Sequence, residues 1–323
     1  MEKKDLKIVY MGTPDFAVES LRALVEGGYN VVAVVTMPDK PIGRHQDTLQ
    51  ASPVKKYAVE HGLKVLQPEK LKDESFVNEL RELNADLQIV VAFRMLPEVV
   101  WAMPRFGTFN LHASLLPQYR GAAPLNWAII NGDKETGITT FFLKHEIDTG
   151  EVIQQVRVPI AETDNVGIIH DKLMMLGGKL VTETVDNIIA GTVKSIPQEE
   201  MATDEPLRPA PKIFKETCKI DLAKPVARVY DFIRGLSPYP AAWTTLIMPN
   251  GSNKSLKIFE TRKEITSHGH SVGTIVTDGK DVLKIALSDG FLMVNELQIE
   301  GKKRMKTPDF LRGFKQIEGC RVE

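Results

Sequence analysis

The chain has 323 residues, of which 43% are hydrophobic, and a formal net charge of -1. That length exceeds a common single domain and the composition supplies a substantial core, so we expect two domains. Near-neutral charge excludes a global attraction to nucleic acid, so a polyanionic partner has to meet local clusters of lysine and arginine. Two cysteines without a CxxC spacing or a Cys/His cluster argue against a disulfide framework and structural zinc.

The beginning of the chain carries no signature of export. Residues 1–5, Met-Glu-Lys-Lys-Asp, lead directly into an apolar strand pattern. There is no apolar signal core, no transit segment rich in arginine and serine, and no apolar run of membrane length. We therefore expect a cytoplasmic protein with no membrane partner.

Short apolar runs alternate with amphipathic stretches through the first third of the chain. The strand-like runs lie at residues 8–11, 31–35, 65–66, 87–91 and 108–111, and helix-like stretches lie at residues 16–25 and 54–59. This alternation predicts a mainly parallel sheet covered by helices. Sheets of this kind bind ligands beyond the carboxyl ends of their strands.

The first strand runs into a turn at residues 10–17, Tyr-Met-Gly-Thr-Pro-Asp-Phe-Ala. Gly12 permits a tight turn, and Thr13 or Asp15 can cap exposed amides of the following helix. A dinucleotide site would need several spaced glycines, and a phosphate-binding loop would need a Walker lysine. The pattern therefore disfavours a dehydrogenase and indicates a turn first and a ligand contact second.

Three polar residues follow apolar runs where such a sheet would bind its ligand. Asn110 and His112 flank Leu111 at the end of the run at 108–111, and Asp148 follows another apolar run at residues 138–143. Alternate residues of a strand share a face, so the amide and the imidazole enter the same space, and a carboxylate from elsewhere can orient the imidazole. On these three residues alone, a polar strand end and an unrelated turn aspartate is the favoured alternative.

The second half of the chain predicts a long helix, a linker and a β-rich domain. Helical periodicity covers residues 167–190, and a polar, proline-rich stretch follows it. Beyond that stretch, a helix begins near Pro225, and strand patterns lie at residues 256–259, 273–276, 282–287 and 291–294. We therefore predict a first domain at residues 1–192, a linker at 193–208 and a small β-barrel at 209–323.

The sequence His268-Gly269-His270 has the residue types of a metal site. No third ligand lies nearby in the sequence, so we predict a polar turn between strands and no metal.

The most specific stretch is residues 112–124, His-Ala-Ser-Leu-Leu-Pro-Gln-Tyr-Arg-Gly-Ala-Ala-Pro. Together with Asp148-Thr149-Gly150 it resembles the folate-dependent formyltransferases, and further motifs of that family follow in order at residues 12–17, 38–44, 52–55, 209–213 and 301–303. The resemblance spans nearly the whole chain. It implies a Rossmann-like α/β catalytic domain and an OB-like carboxyl-terminal barrel that binds tRNA. It also implies transfer of the formyl group of 10-formyltetrahydrofolate to the α-amino group of initiator methionyl-tRNA.

By motif, the resemblance makes Asn110, His112 and Asp148 the catalytic residues. An amine that attacks the formyl carbon places negative charge on the formyl oxygen, which donors from Asn110 and a protonated His112 would stabilise. Asp148 places negative charge beside the imidazole and can accept the amine proton directly or through water. A free α-amino group titrates at about pH 7.7–8.0, so neither a metal nor a covalent enzyme intermediate is required.

The resemblance also implies sites for the two substrates. The residues implied for the folate are Ala92, Phe93, Arg94, Leu96, Ser114, Leu115, Leu116 and Pro117. Phe93-Arg94 departs from the Tyr-Gly stretch that the family often carries, and Phe93 as an ordinary core residue is an open alternative. The residues implied for the tRNA backbone are Lys40, Arg44, Lys302, Lys303 and Arg304. Clusters of cations are more often only solvated surface.

Rival functions differ in what they leave unexplained. A formyltransferase that acts on an amino-sugar nucleotide shares the catalytic motif, but the turn at residues 12–14 and the loop at 38–55 favour the tRNA substrate. A purine-pathway formyltransferase leaves the barrel unexplained, and a noncatalytic RNA-binding module leaves the three polar residues unexplained. We expect a monomer whose partners are initiator methionyl-tRNA and the folate.

Overall fold

The computed structural model describes residues 1–42, 48–201, 203 and 205–323. The chain divides into two compact units. The first consists of Met1–Gly121, Thr136–Val158 and His170–Pro209, and the second consists of Ala122–Glu135, Pro159–Ile169 and Ala210–Glu323. The second unit thus includes two short segments that lie, in sequence, within the predicted first domain.

The strands and helices alternate in the first half of the chain, and strands dominate the last third. The strands are β1 (Lys7–Gly12), β2 (Asn30–Val35), β3 (Lys40–Ile42), β4 (Thr48–Gln50), β5 (Val65–Leu66), β6 (Leu87–Val91), β7 (Thr108–His112), β8 (Glu135–Phe142), β9 (Val152–Pro159), β10 (Ala242–Ile247), β11 (Asn253–Ile265), β12 (Ile275–Thr277), β13 (Leu283–Leu287), β14 (Gly290–Ile299), β15 (Met305–Lys306) and β16 (Arg321–Val322). The helices are α1 (Asp15–Glu26), α2 (Pro53–Glu60), α3 (Glu74–Glu82), α4 (Glu98–Trp101), α5 (Pro124–Ile130), α6 (Val166–Ala190), α7 (Val226–Leu236) and α8 (Thr307–Gly313). Short 3-10 helices lie at Gln198–Glu200, Glu216–Cys218 and Lys315–Ile317.

The first unit contains a seven-stranded sheet in the order β5-β2-β1-β6-β7-β8-β9. The pairs from β5 to β7 are parallel, and β8 runs antiparallel to β7. This confirms the predicted mainly parallel sheet. Because β6 and β7 are parallel neighbours, with Val91 paired to Leu111, both strands end at the same edge of the sheet. A separate small sheet pairs β3 with β4.

The centre of this sheet is buried because its strands are almost entirely apolar, with Gln88 as the buried polar residue of β6. Every residue of β6 is buried, as is every residue of β1 after Lys7. Continuous apolar runs of this kind occur where helices cover both faces of a parallel sheet. Helix α1 buries Phe16, Leu21 and Leu24, which recur at helical spacing, and each full burial contributes about 1.5–3 kcal/mol. The end of β1 lies so close to β6 that a Cβ on Gly12 would be 2.9 Å from the Val91 carbonyl oxygen.

The second unit contains an antiparallel sheet in the order β12-β13-β14-β11-β10-β16, with β15 paired to β14. A bridge between Thr274 and Arg321 links the two ends of this order. Beside it, the Val322 amide donates to the Gly273 carbonyl at 2.9 Å. Gly273 has φ 87°, and a Cβ there would overlap the Val322 carbonyl, so only glycine suits this closure. The sheet is therefore a nearly closed barrel, as predicted.

Helix α7 covers one part of the barrel core. Its buried residues include Val226, Val229 and Ile233, and they belong to one apolar cluster with strand residues such as Leu256 and Ile258. The Asn126 side chain of α5 donates to the Gly235 carbonyl at 2.8 Å, which joins α5 to α7 within this unit. In the described part of the chain, no helix has the length and apolarity needed to cross a lipid bilayer.

Candidate active site

Strand β7 places Asn110 and His112 on one face of the sheet edge. Asn110 is the half-buried residue of an otherwise buried strand, and Phe109 and Leu111 lie on the opposite face from it. His112 is the last residue of the strand and is only 7% exposed. The predicted pairing of an amide and an imidazole on one face therefore follows from the strand geometry.

The His112 ring is held between a backbone carbonyl and a carboxylate. Its Nε2 lies 2.9 Å from the Tyr119 carbonyl oxygen, which can only accept, so Nε2 carries a hydrogen. Its Nδ1 faces Asp148 Oδ2 at 3.8 Å, which is within the range of an ion pair and beyond a direct hydrogen bond. The ring also meets the edge of Phe141 at a centroid distance of 6.3 Å. The imidazole is therefore fixed in orientation, with one nitrogen free of backbone contacts.

Asp148 is fixed by its own backbone and by its neighbours. Its φ is 54°, in the left-handed region, and its Oδ2 accepts a hydrogen bond from the Gly121 amide at 2.9 Å. Gly150 packs so tightly on the strand that a Cβ there would overlap the Phe142 carbonyl oxygen. The Asp-Thr-Gly sequence thus brings a carboxylate back toward β7, and the structure assembles the three residues that the sequence placed apart.

Asn110 supplies a buried, unpaired oxygen to this group. Its Oδ1 is buried and has no hydrogen-bond partner among the described residues. An unsatisfied buried polar atom costs about 1–3 kcal/mol, so a donor supplied by a ligand would remove that cost here. This carbonyl oxygen is positioned to accept an N–H group.

The loop after His112 is shaped by two residues from β8 and β9. Thr139 Oγ1 donates to the Ser114 carbonyl at 2.6 Å and accepts from the Leu116 amide at 3.3 Å. Gln155 Nε2 donates to the Leu116 carbonyl at 2.8 Å. Ser114, Leu116 and Pro117 are buried, and Leu115 is half-buried. These four residues, which were implied for the folate, therefore lie largely within the protein, where their backbone follows the path set by Thr139 and Gln155.

The other residues implied for the folate follow β6, and two of them line a cavity of about 610 Å³. Ala92 is exposed, Phe93 is partly buried against the apolar cluster beside the sheet, and Arg94 and Leu96 line the cavity. The Arg94 guanidinium donates to the carbonyls of Pro68 and Glu69, each at 2.7 Å. Burial of this cation lowers its pKa. Arg94 therefore ties the loop after β6 to a neighbouring segment.

The five residues implied for tRNA differ in how available their charges are. Lys40 begins β3 and is exposed, whereas Arg44 lies outside the described residues. Lys302 and Lys303 are exposed on the turn before β15, and neither forms an ion pair within the described part of the chain.

Arg304, the fifth residue implied for tRNA, differs from Lys302 and Lys303 because its guanidinium has partners within the protein. It donates to Glu296 at 2.6 Å and lies over the Phe259 ring at 4.1 Å. The Arg304 guanidinium holds the Glu296 pKa below its usual range. Of this cluster, Lys302 and Lys303 are therefore the cations most available to a phosphate.

Sequence reasoning did not identify Gln198 and Arg120 as functional residues. Gln198 is 2% exposed, donates to the Asp148 and Gly150 carbonyls, and accepts from Arg120. Gln198 lies in the predicted linker, where a single glutamine has no periodic signal. Arg120 lies inside the most specific motif, which was a usable signal for it.

The segment His268-Gly269-His270 lies in the irregular stretch between β11 and β12. His268 Nε2 lies 2.7 Å from the Leu287 carbonyl and 3.0 Å from the Gly290 carbonyl, and its Nδ1 accepts from the His270 amide. Both ring nitrogens of His268 are therefore used by the backbone. Within residues 1–42, 48–201, 203 and 205–323, no group of three or more potential metal ligands is found.

Comparisons with known proteins agree with this fold. A family model described as "Formyl transferase" matches residues 6–185, and one described as "Formyl transferase, C-terminal domain" matches residues 212–315. The chain is 70% identical over 323 residues to the methionyl-tRNA formyltransferase of Bacteroides fragilis, covering 100% of this chain and 99% of that protein.

Solved structures extend the likeness at lower identity. The N-formyltransferase of Helicobacter canadensis, in complex with folinic acid and dTDP-3-aminofucose, superposes with a TM-score of 0.63 at 21% identity, covering 90% of this chain and 98% of that one. HypX of Aquifex aeolicus in complex with tetrahydrofolic acid has a TM-score of 0.63 at 19% identity, covering 97% of this chain and 47% of that one. At these identities the likeness is one of fold.

Proposed function

We propose that this chain, which belongs to the formyl transferase family, transfers the formyl group of 10-formyltetrahydrofolate to the α-amino group of initiator methionyl-tRNA. The observation that carries the chemistry is the convergence of Asn110, His112 and Asp148 at one edge of the sheet. The observation that favours the tRNA substrate is 70% identity along the whole chain to a methionyl-tRNA formyltransferase.

Asn110 has two roles in this proposal. Its unpaired Oδ1 accepts an N–H of the attacking amine, which orients the nitrogen lone pair toward the formyl carbon. Its Nδ2 donates to the formyl oxygen as negative charge develops there. A preorganised donor of this kind acts mainly in the transition state and contributes on the order of 10²–10³ in turnover.

His112 and Asp148 provide the positive charge and the proton acceptor. The Tyr119 carbonyl holds Nε2, so Nδ1 is the nitrogen that meets the reacting groups. A protonated His112 places a donor beside the formyl oxygen. Asp148, with Oδ2 oriented by the Gly121 amide, accepts the proton that the amine loses, directly or through water. The tetrahedral intermediate then collapses: the bond between the formyl carbon and N10 of the folate breaks, N10 takes up a proton from the protonated Asp148 or from water, and tetrahydrofolate leaves. No residue forms a covalent bond with the substrate.

The folate supplies the formyl group, and the residues after β6 are suited to hold its ring system. Parallel strands β6 and β7 end at the same edge, so the loop from Ala92 to Leu96 begins beside the strand that carries His112. Leu96 and Pro97 provide apolar surface on the cavity, and Arg94 fixes the loop through two carbonyls. An apolar cavity with few oriented polar groups is the usual form of a small-molecule site.

The tRNA backbone meets exposed cations in this proposal. Lys302 and Lys303 are the strongest candidates in the second unit, and Lys40 is the candidate on the β3 hairpin. Phosphate contacts of this kind set register and affinity without reading bases. Their contribution therefore depends on salt concentration.

A transfer assay tests the proposal. Purified protein is incubated with 10-formyltetrahydrofolate carrying a labelled formyl group and with either methionyl-tRNA or an amino-sugar nucleotide, and label in each acceptor is measured. Label in methionyl-tRNA supports the proposal. Transfer to the sugar alone would replace the substrate assignment, and folate binding without transfer to either acceptor would refute the enzymatic one. Asn110→Ala run in parallel shows whether transfer depends on the site described here.

A further inference from the structure

Gln198 uses its entire side-chain amide within the first unit. Its Nε2 donates to the carbonyls of Asp148 and Gly150, each at 2.8 Å. Its Oε1 accepts from Arg120 Nε at 3.0 Å and from Arg120 Nη2 at 2.7 Å. Two donated and two accepted bonds satisfy the full capacity of a primary amide, and the residue is 2% exposed.

The two segments that Gln198 joins are the ones that orient the catalytic side chains. Arg120 lies between Tyr119, whose carbonyl holds His112, and Gly121, whose amide holds Asp148. Gln198 therefore links the side chain of Arg120, in the loop that holds His112, to the backbone of the segment that carries Asp148. The contact between His112 and Asp148, at 3.8 Å, lies between these two segments.

A second glutamine supports the same loop. Gln118 Oε1 accepts from the Arg208 amide at 2.9 Å, and its Nε2 donates to the Pro206 carbonyl at 3.2 Å. The Tyr119 amide also donates to the Arg208 carbonyl at 2.8 Å. Residues from the predicted linker thus anchor the loop at 118–121 independently of Gln198.

We propose that Gln198 is a positioning residue for the formyl transfer, which holds Asp148 in its left-handed backbone conformation and fixes it relative to His112. This inference rests on the proposed function. A glutamine is required because the position needs both donors, for the carbonyls of Asp148 and Gly150, and acceptors, for Arg120. A carboxylate there keeps the bonds from Arg120 and loses the bonds to the carbonyls.

Two substitutions separate these contacts. Gln198→Glu retains the Arg120 contact and removes both donors, whereas Gln198→Met removes all four bonds at similar volume. Because Asp148 is oriented less well in each variant, kcat for formyl transfer to methionyl-tRNA falls by about 10- to 100-fold in both. The KM values for the folate and for the tRNA stay within about threefold, since Gln198 contacts neither substrate. The exposed Gln316→Met is the matched control, and its kcat equals that of the wild type.

The measurements are steady-state kinetics together with thermal melting of each variant. A folded Gln198→Glu with wild-type kcat overturns the inference, as does a variant in which KM rises and kcat is unchanged. Should Gln198→Met not fold, Gln198→Glu decides, because its carboxylate still pairs with Arg120. Should neither fold, Arg120→Met decides in the same way: a lower kcat supports the inference, and a wild-type kcat overturns it. A wild-type enzyme that formylates no methionyl-tRNA contradicts the proposed function instead, so the two failures are distinct.

Discussion

The sheet edge that carries His112 and the cationic turn from Lys302 to Arg304, before β15, use polar side chains in opposite ways. At the sheet edge, His112 is 7% exposed and each of its nitrogens faces a specific oxygen. On the turn, Lys302 and Lys303 are exposed and contact no carboxylate within the described residues. The first region fixes geometry, and the second offers charge.

The difference shows that catalysis and phosphate binding depend on different properties of polar side chains. Stabilising a transition state depends on donors placed within a few tenths of an ångström. The site accordingly lies largely inside the protein, where backbone groups hold His112 and Asp148 and residues such as Gln198 fix the surrounding segments. Attraction to a phosphate backbone depends on the number of cations and on ionic strength, and it tolerates flexible side chains. Substitutions in the first region should therefore change turnover, and substitutions in the second should change binding.

The largest expected effect comes from Asn110. Asn110→Ala lowers kcat by about 10²–10³-fold while the affinity for tRNA is retained, because the donor to the formyl oxygen acts in the transition state. His112→Ala gives a loss of similar size. Single-turnover rates and tRNA binding, measured on the same preparations, separate the two quantities.

Asn110→Asp sharpens this test because it keeps two acceptor oxygens and loses the donor. We expect it to be as slow as Asn110→Ala. The exposed Asn78→Ala serves as the control for an asparagine outside the site. Loss of tRNA affinity with unchanged turnover would contradict the catalytic role.

A smaller effect is expected at the folate loop. Arg94→Met removes the two bonds to the Pro68 and Glu69 carbonyls, so the loop beside the cavity is held less firmly. We expect the KM for the folate to rise by about tenfold, as one to two net hydrogen bonds would predict, with little change in the KM for tRNA. Steady-state titration of each substrate at saturation of the other checks this. Equal changes in both KM values would show that Arg94 supports the whole unit and not the loop.

The parts of the molecule that the sequence predicted share a physical origin. The sheet, the helix at 166–190 and the barrel follow from hydrophobic periodicity, which repeats many times and survives local exceptions. Asn110 and His112 could be placed on one face because a strand alternates with a fixed period. The prediction that Asp148 lies beside them depended on the resemblance to a known family, because no local pattern shows where a loop 36 residues beyond His112 returns to the sheet.

The parts that the sequence did not predict depend on single contacts across the fold. Gln198 matters through four hydrogen bonds to two distant segments, and a polar residue in a proline-rich stretch gives no sign of them. Arg304 looked like one cation among several until its pairing with Glu296 and its position over Phe259 were known. Composition identifies a cationic cluster, whereas the availability of each cation is decided by tertiary structure.

The cationic turn provides the third test. Lys302→Ala combined with Lys303→Ala weakens tRNA binding and reduces the slope of log affinity against log salt by about two, because each lysine contributes about one phosphate contact. The kcat at saturating tRNA is unchanged. Binding measured over a range of salt concentrations gives the slope, and Lys280→Ala, an exposed lysine on another turn of the same unit, is the matched control. A slope equal to that of the wild type removes the two lysines from the interface.

The smallest expected effect is on stability, at the Arg304–Glu296 pair. The pKa of Glu296 is lowered in the folded chain, first by the hydrogen bond from Arg304, so the pair stabilises the fold above the ordinary glutamate range and this contribution is lost as pH falls through the lowered pKa. Arg304 is 39% exposed on its side chain, which screens the interaction, so Arg304→Met lowers the free energy of unfolding at pH 7 by less than about 1 kcal/mol. Denaturant unfolding at several pH values checks the sign: the difference between Arg304→Met and wild type should shrink as pH drops below about 4. If the difference instead persists at low pH, the contribution of Arg304 comes from its packing on Phe259 and not from charge, and the contrast between this cation and the unpaired Lys302 and Lys303 would have to be drawn on packing alone.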